Sequence, residues 1–416
     1  MANQQIKLQT LKGFRDFLPL EKRNRDYVIG RIKQVFERFG FDPIETPTLE
    51  YAAVLQGKYG EEADKLMYTF EDKGGRMVGL RYDQTVPTAR FLSQYSGTLP
   101  KYFRRYQIQN VFRAENTQAG RFREFTQCDC DIFGSTSSVA DAEILAVFYQ
   151  VYKELGFDSF IIRVNDRQTL FETIKPFESS ELSTLSIIQT IDKLDKIQEE
   201  GVVEELMKKG LPKENAQLLL KKLNETKVPI NLQVILDQAE KLGVPKAVFE
   251  FQPYLARGLD YYTGLIFEGI IPEYGSGSVG GGGRYDNLIS DLGGPQVPAV
   301  GFAVGFDRTV EVLEKLQLIP DMENGTQVLV TVFDEKLAPV ALEIAKKFRE
   351  QNINTEIIPT TADKIGKQLK YADLKKIPFV IIVGPDEAKE NKLTVKNMKS
   401  GEEKRTDIQE AIEICK

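Results

Sequence analysis

The run VFRAENTQAGRFREFTQCDCDIF, residues 111–133, most tightly limits what this chain can fold into. Successive side chains of a strand point to opposite faces, so residues of one parity share a face. The odd positions are Arg113 and Glu115, then Arg121, Arg123, Phe125, Gln127, Asp129 and Asp131. The even positions include Phe112, Ala114, Phe122, Thr126, Cys128, Cys130 and Ile132, mostly apolar or small, as a core face requires. Residues 116–120, NTQAG, supply turn chemistry between the two arms. The pattern predicts a long antiparallel hairpin with one buried face and one face loaded with arginines, carboxylates and an amide. A solvated charged face has the same period. Phe125 and Gln127 among the charges, and arginine in place of the lysine that fills the rest of the chain, favour a binding face. Guanidiniums beside carboxylates on a rigid sheet suit a ligand that carries both phosphate and amine.

A chain of 416 residues exceeds one ordinary core and calls for two or three domains. The N-terminal MANQQIKLQT lacks the apolar run of a signal peptide, and no stretch has the length that spans a bilayer, so a cytoplasmic location and no membrane partner are expected. Three cysteines make neither a disulfide framework nor a zinc set, and Cys128 and Cys130 read as small core residues. A net charge of −6 gives no global field for nucleic acid, so an RNA partner has to meet local basic patches. The chain contains no histidine. That excludes a Ser-His triad, histidine metal ligands and an imidazole base, and leaves Arg, Asp, Glu, Tyr, Lys, a metal or positioning alone.

Along the chain, apolar spacing predicts a helix over 21–39, stopped by Gly40, then a strand that Pro43 and Pro47 interrupt and so restrict to an edge or a bulge. Strands are expected at 67–70 and 77–82 around a turn at 72–75. Asp83 and Thr85 lie two apart, before Pro87 turns the chain; they suit an ammonium, and equally a turn that caps itself. A helix over 141–155 and a strand over 160–165 precede a helical segment, about 175–243, rich in Leu, Lys, Glu and Gln. RGLDYYTG, 257–264, packs an Arg, an Asp and two tyrosines ahead of a strand at 265–270. Gly280, Gly281, Gly282 and Gly283 allow close backbone approach to a ligand. Small and apolar residues alternate from 301 into a helix over 309–316. After a polar linker at 320–325, strands and helices alternate, which predicts a small α/β domain with a mostly parallel sheet.

Phe112-Arg113-Ala114-Glu115 with Arg121 to Phe125 resembles motif 2 of the class II aminoacyl-tRNA synthetases. LKGFRDFLPL, RYDQTVPTAR, GRFREFTQ, RGLDYYTG and GGGRYDNL resemble segments of histidyl-tRNA synthetases. The first helix and its proline strand are similar to motif 1, a dimer interface in the family, although an ordinary helix and edge strand read the same way. Residues 301–308 resemble motif 3, with Asp307 where the family more often has Glu.

The resemblance implies an α/β (α+β) protein. Residues 1–325 form a class II antiparallel-sheet catalytic domain with a helical insertion at about 175–243, either a tRNA contact or a structural cap. Residues 326–416 form an anticodon-binding α/β domain. It implies a homodimeric histidine–tRNA ligase that uses ATP with Mg2+ as substrate, L-histidine and tRNA(His), with no protein-bound zinc. Carried over residue by residue, Arg113 holds the α-phosphate and the substrate carboxylate. Glu115, Arg121 and Phe125 hold ATP, Arg308 covers the other side of the base, and Arg257 neutralises the α-phosphate. Asp83, Thr85 and Gln127 hold the amine, while Asp131, Tyr261 and Tyr262 surround the imidazole. Thr126, where the family often has His or Tyr, points away from the ligand face by parity. The resemblance also admits a non-enzyme, the regulatory subunit of ATP phosphoribosyltransferase, which lacks the catalytic arginines and the anticodon domain retained here. RGLDYYTG argues against a prolyl or threonyl enzyme. A histidine-loading enzyme without histidine can also be translated when histidyl-tRNA is exhausted.

Overall fold

The computed structural model describes residues 8–56, 66–116, 122–256, 261–275, 277–321 and 325–416. Arg121 and Arg257 therefore lie outside the described residues. The chain divides into two compact units, Met1–Ile319 and Pro320–Lys416.

The first unit is built on an eight-stranded sheet in the order β1-β5-β6-β11-β10-β9-β7-β8. These are β1 (Asp42–Pro43), β5 (Phe103–Phe112), β6 (Glu124–Phe133), β7 (Ile161–Asp166), β8 (Phe249–Phe251), β9 (Leu265–Ile270), β10 (Ser278–Arg284) and β11 (Ala299–Val304). The ladders are antiparallel except for the two outermost pairs, β1–β5 and β7–β8. Pro43 sits on the edge strand, where a missing N–H leaves no ladder bond broken. A smaller sheet, β2-β4-β3, comprises β2 (Leu49–Tyr51), β3 (Thr69–Glu71) and β4 (Met77–Leu80), so the strands expected around the 72–75 turn do pair.

Helix α1 (Pro19–Arg38) starts with proline in its first turn, where no N–H is needed, and ends before Gly40 at φ +75°. Its buried stripe, Val28, Ile32, Val35 and Phe36, packs with α3 (Ser138–Glu154) on the even-numbered face of β6. That face carries Cys128, Cys130 and Ile132 opposite Val304, Phe302 and Val300 of β11, all buried. The parity argument therefore predicted the core side correctly. Short helix α2 (Thr85–Tyr95) corrects one reading: Pro87 does not turn the chain but occupies the first helical turn.

The segment expected as one insertion over 175–243 packs in two places. Helices α4 (Arg167–Ile174), α5 (Thr184–Ile191), α6 (Leu194–Lys208) and α7 (Lys213–Glu225) share a core from Leu170 through Leu223, closed by Ala256. Helix α8 (Ile230–Lys241) instead places Leu232, Ile235 and Ala239 in the main core beside α3.

The second unit holds β12 (Val328–Val330), β13 (Thr355–Ile357), β14 (Phe379–Ile382), β15 (Leu393–Asn397) and β16 (Glu403–Thr406) in the order β13-β12-β14-β15-β16. The expected mostly parallel sheet is in fact mixed. β12 is parallel to β13 and β14, and β15 and β16 add an antiparallel hairpin.

Candidate active site

The hairpin β5–β6 is ten residues deep on each side, from Phe103↔Phe133 to Val111↔Phe125 and Phe112↔Glu124. Its register pairs odd with odd: Arg105 with Asp131, Gln107 with Asp129 and Gln109 with Gln127. Side chains paired this way meet on one face. The face continues across the sheet. One row runs Arg105, Asp131, Gly301, Gly283, Ile266, and the next runs Gln107, Asp129, Ala303, Gly281, Glu268.

Two strands of small residues thus make a trough between the charged hairpin and β9. The alternate glycines of β10 serve the other side. A Cβ on Gly280 would stand 2.7 Å from the Tyr152 hydroxyl, and one on Gly282 2.7 Å from the Phe302 Cβ. A Cβ on Gly283 would likewise stand 2.8 Å from the Tyr262 ring, so three of the four glycines are required by neighbouring side chains.

A cavity of about 530 Å³ opens over this face. Its walls bring together five of the residues expected to bind substrate: Arg113, Glu115, Phe125, Gln127 and Arg308. The Arg113 guanidinium lies 5.1 Å from the Phe125 ring centre, and its Nε donates to the Tyr82 carbonyl at 3.0 Å, which fixes the fork. Arg308 comes from α9 (Phe306–Lys315), and its Nη1 donates to the Ser278 carbonyl at 2.7 Å. Glu268 of β9 adds a second carboxylate that the sequence reading missed.

Asp307 precedes Arg308 but does other work. It accepts from Arg15 at 2.6 Å and Arg25 at 2.7 Å, and from the Thr126 backbone N–H at 3.2 Å, tying the N-terminal segment and α1 to β6. The Thr126 hydroxyl donates to Asn110 and accepts from Arg25, yet Thr126 does border the cavity, contrary to its parity alone.

Asp83, Thr85, Asp131, Tyr261 and Tyr262 do not line this cavity; Asp131 lies further along the same strand face. Asp83 caps α2, its Oδ1 accepting from the Val86 N–H at 3.2 Å, so the self-capping turn is real; Thr85 is the first residue of that helix. Gln84 ties α2 to the hairpin by donating to the carbonyls of Gln109 and Gln127. The Gln127 Oε1 and one Asp129 oxygen are buried with no hydrogen-bond partner among the described residues, an arrangement that suits a donor on a ligand.

Asp131 is held by groups that sequence reading did not find. The wholly buried Arg105 lies 2.6 Å away, and the Tyr285 hydroxyl donates to Asp131 Oδ1. Tyr261 stacks edge-on to Tyr285 with ring centres 5.5 Å apart, and Tyr262 is 4.7 Å from Tyr261. Burial pushes both the Asp129 and Asp131 carboxyls above the ordinary carboxylate range, with Arg105 opposing. Burial likewise raises the Tyr285 phenol, so it stays a donor. Arg105 shares the odd parity of Arg113, but its pairing with Asp131 is fixed only by the ladder register. Nothing local signals Tyr285, 154 residues from Asp131.

A broad antiparallel sheet, a two-stranded motif carrying an arginine fork over a small-residue trough, and an arginine at the head of the following helix define a class II aminoacyl-tRNA synthetase catalytic unit. The histidyl-tRNA synthetase family model matches residues 13–309, and the anticodon binding domain model matches 327–416. Histidine–tRNA ligases of Cytophaga hutchinsonii and Wolinella succinogenes are each 39% identical, over 96% and 98% of this chain and 98% and 97% of theirs. The crystal structure of histidyl-tRNA synthetase from Nostoc sp. PCC 7120 matches with a TM-score of 0.83 at 31% identity over 99% of both chains. The chain belongs to the histidyl-tRNA synthetase family.

Proposed function

We propose that the protein is a histidine–tRNA ligase: it activates L-histidine with ATP and passes it to the 3′ end of tRNA(His). The observation that carries this reading is the convergence of Arg113, Glu115, Phe125, Gln127 and Arg308 on one cavity, with Asp131 further along the same strand face. In the first step an oxygen of the histidine carboxylate attacks the α-phosphorus of ATP. The bond to the bridging oxygen breaks, and pyrophosphate leaves. In the second, a hydroxyl of the terminal ribose attacks the adenylate carbonyl and AMP leaves. Neither step demands an imidazole from the protein; positioning and charge neutralisation dominate phosphoryl transfer.

Arg113 bridges the substrate carboxylate and the α-phosphate. Phe125 stacks on adenine, Arg308 covers its other side, and Glu115 and Arg121 complete the nucleotide contacts. Arg257 neutralises the α-phosphate. Gln127, Asp83 and Thr85 hold the ammonium, and Asp131 with Tyr261 and Tyr262 receives the imidazole. Magnesium enters with the nucleotide, and the cavity carboxylates Glu115 and Glu268 are hard oxygen donors suited to it.

The second unit takes the anticodon, in keeping with the family model that matches it. A homodimer is part of the reading. Leu49, Tyr51 and Phe70 lie on one face of the β2-β4-β3 sheet and remain exposed, a face that a second copy would cover. A cytoplasmic location completes it; among the described residues no helix is long and apolar enough to cross a membrane.

The test is amino-acid-dependent ATP–pyrophosphate exchange with all twenty amino acids. Histidine should exceed every other by at least about 10⁴-fold in kcat/KM, because an analogue without two ring nitrogens strands buried polar partners. Exchange driven best by proline or threonine, or no exchange at all, contradicts the reading.

A further inference from the structure

We propose that Arg105 is a positioning residue for amino-acid selection: from behind the trough it anchors the Asp131 carboxylate that receives the histidine side chain. The proposal rests on the assignment of Asp131 to the imidazole and goes beyond it by naming what sets that carboxylate's direction and charge.

Arg105 is completely buried, a position that an arginine occupies only when paired. Its Nη2 is 2.6 Å from Asp131 Oδ2 and 3.9 Å from Asp129 Oδ2, and its Nη1 donates to Gln107 Oε1 at 3.3 Å. Tyr285 holds the other Asp131 oxygen. Between them they lay the carboxylate sideways over the neighbouring strand: a Cβ added at Gly301 would stand 1.8 Å from Asp131 Oδ1. The carboxylate therefore leans over Gly301 of the neighbouring strand, toward the glycine trough. Without Arg105, nothing on β5 opposite Asp131 would hold Oδ2.

One cation faces two carboxyls. The closer one, Asp131, feels the cation more strongly, and burial pushes the Asp129 carboxyl further above the ordinary carboxylate range. Among the described residues, the other charged or titratable groups near this cluster are Tyr285, with Tyr261 behind it, Cys130 on the same strand, and Asp83 and Arg113 on the Asp129 side. The Arg105–Asp131 pair is then neutral overall. It offers an acceptor to the N–H of an uncharged imidazole and disfavours the imidazolium, which would add one uncompensated buried charge.

The experiment compares Arg105→Gln, Arg105→Lys and Asp131→Asn in the exchange assay from pH 5.5 to 8.5, with KM for histidine and for ATP measured separately. In the wild type, KM for histidine should rise as pH falls below about 6.5, where free imidazole protonates. Arg105→Gln should raise KM for histidine at pH 8 by about 30-fold or more, leave KM for ATP within about twofold, and lose the acid-side rise, because the freed carboxylates then welcome imidazolium. Arg105→Lys keeps the charge without the fork and should recover most of the loss. It also carries the test if the glutamine variant does not fold. If Asp131→Asn weakens histidine while Arg105→Gln does not, the anchoring role is overturned alone. If neither weakens histidine, the Asp131 assignment falls and the proposal with it. Parallel rises in KM for both substrates, with an unchanged pH profile, mark a merely structural role and overturn the proposal.

Discussion

Arg113→Ala should cut histidine-dependent ATP–pyrophosphate exchange by about 10²- to 10³-fold in kcat, the usual effect of losing a preorganised donor aimed at developing charge. The side chain is already fixed before substrate arrives, by its bond to the Tyr82 carbonyl and by the Phe125 ring 5.1 Å away. Little reorganisation is then needed as the pentavalent phosphorus forms. Arg113→Lys keeps a positive charge but loses the planar fork that spans carboxylate and phosphate, so it should recover only part of the rate. Single-turnover measurement of adenylate formation separates this from slow pyrophosphate release. An alanine variant with wild-type turnover removes Arg113 from the reaction.

Asp141→Ala should destabilise the first unit by about 3 kcal/mol, the lower end of the cost of breaking a buried ion pair, because Asp286 still meets Arg284. Arg284 ends β10, and its Nε and Nη2 each donate to a separate Asp141 oxygen at 2.9 Å, both groups being nearly buried. Asp286 and the Ser135 carbonyl take the third nitrogen, Nη1, at 3.0 and 2.9 Å. This clamp joins α3 to the strand that delivers Tyr285 to Asp131, so histidine affinity should fall along with stability. Urea unfolding monitored by tyrosine fluorescence gives the first quantity, and KM for histidine the second. Cutting the exposed Lys346–Glu350 pair on the second unit should change little by comparison.

The hairpin was legible because its parity is unbroken: Gln127, Asp129 and Asp131 on one face and Cys128, Cys130 and Ile132 on the other leave no second register. Of the edge or bulge that proline permits, the Pro43 strand takes the edge. What could not be read locally was pairing at a distance. β5 begins at Phe103, eight residues before the expected strand, and the charged FRRYQIQN gave no reason to bury Arg105 without knowing its partner across the ladder. The β15–β16 hairpin went unseen because LTVKN and EKRT are short and polar, as an edge of a sheet allows. The turn at Pro87 was misread because a proline in the first turn of a helix and a proline ending a strand look alike in sequence. The glycine run was read as close approach to a ligand. Gly280 and Gly281 do border the cavity, whereas a Cβ on Gly282 or Gly283 would run into the Phe302 Cβ or the Tyr262 ring.

The central claim is that the odd-numbered face of β5 and β6 carries both substrates. The crystal structure of the protein with a non-hydrolysable histidyl-adenylate analogue tests it most directly. The account predicts the phosphate analogue in hydrogen-bond contact with Arg113, the adenine between Phe125 and Arg308, the ammonium at Gln127, and an imidazole nitrogen bonded to Asp131. An analogue seated elsewhere, or an imidazole that leaves Asp131 paired with Arg105 and Tyr285 alone, contradicts it.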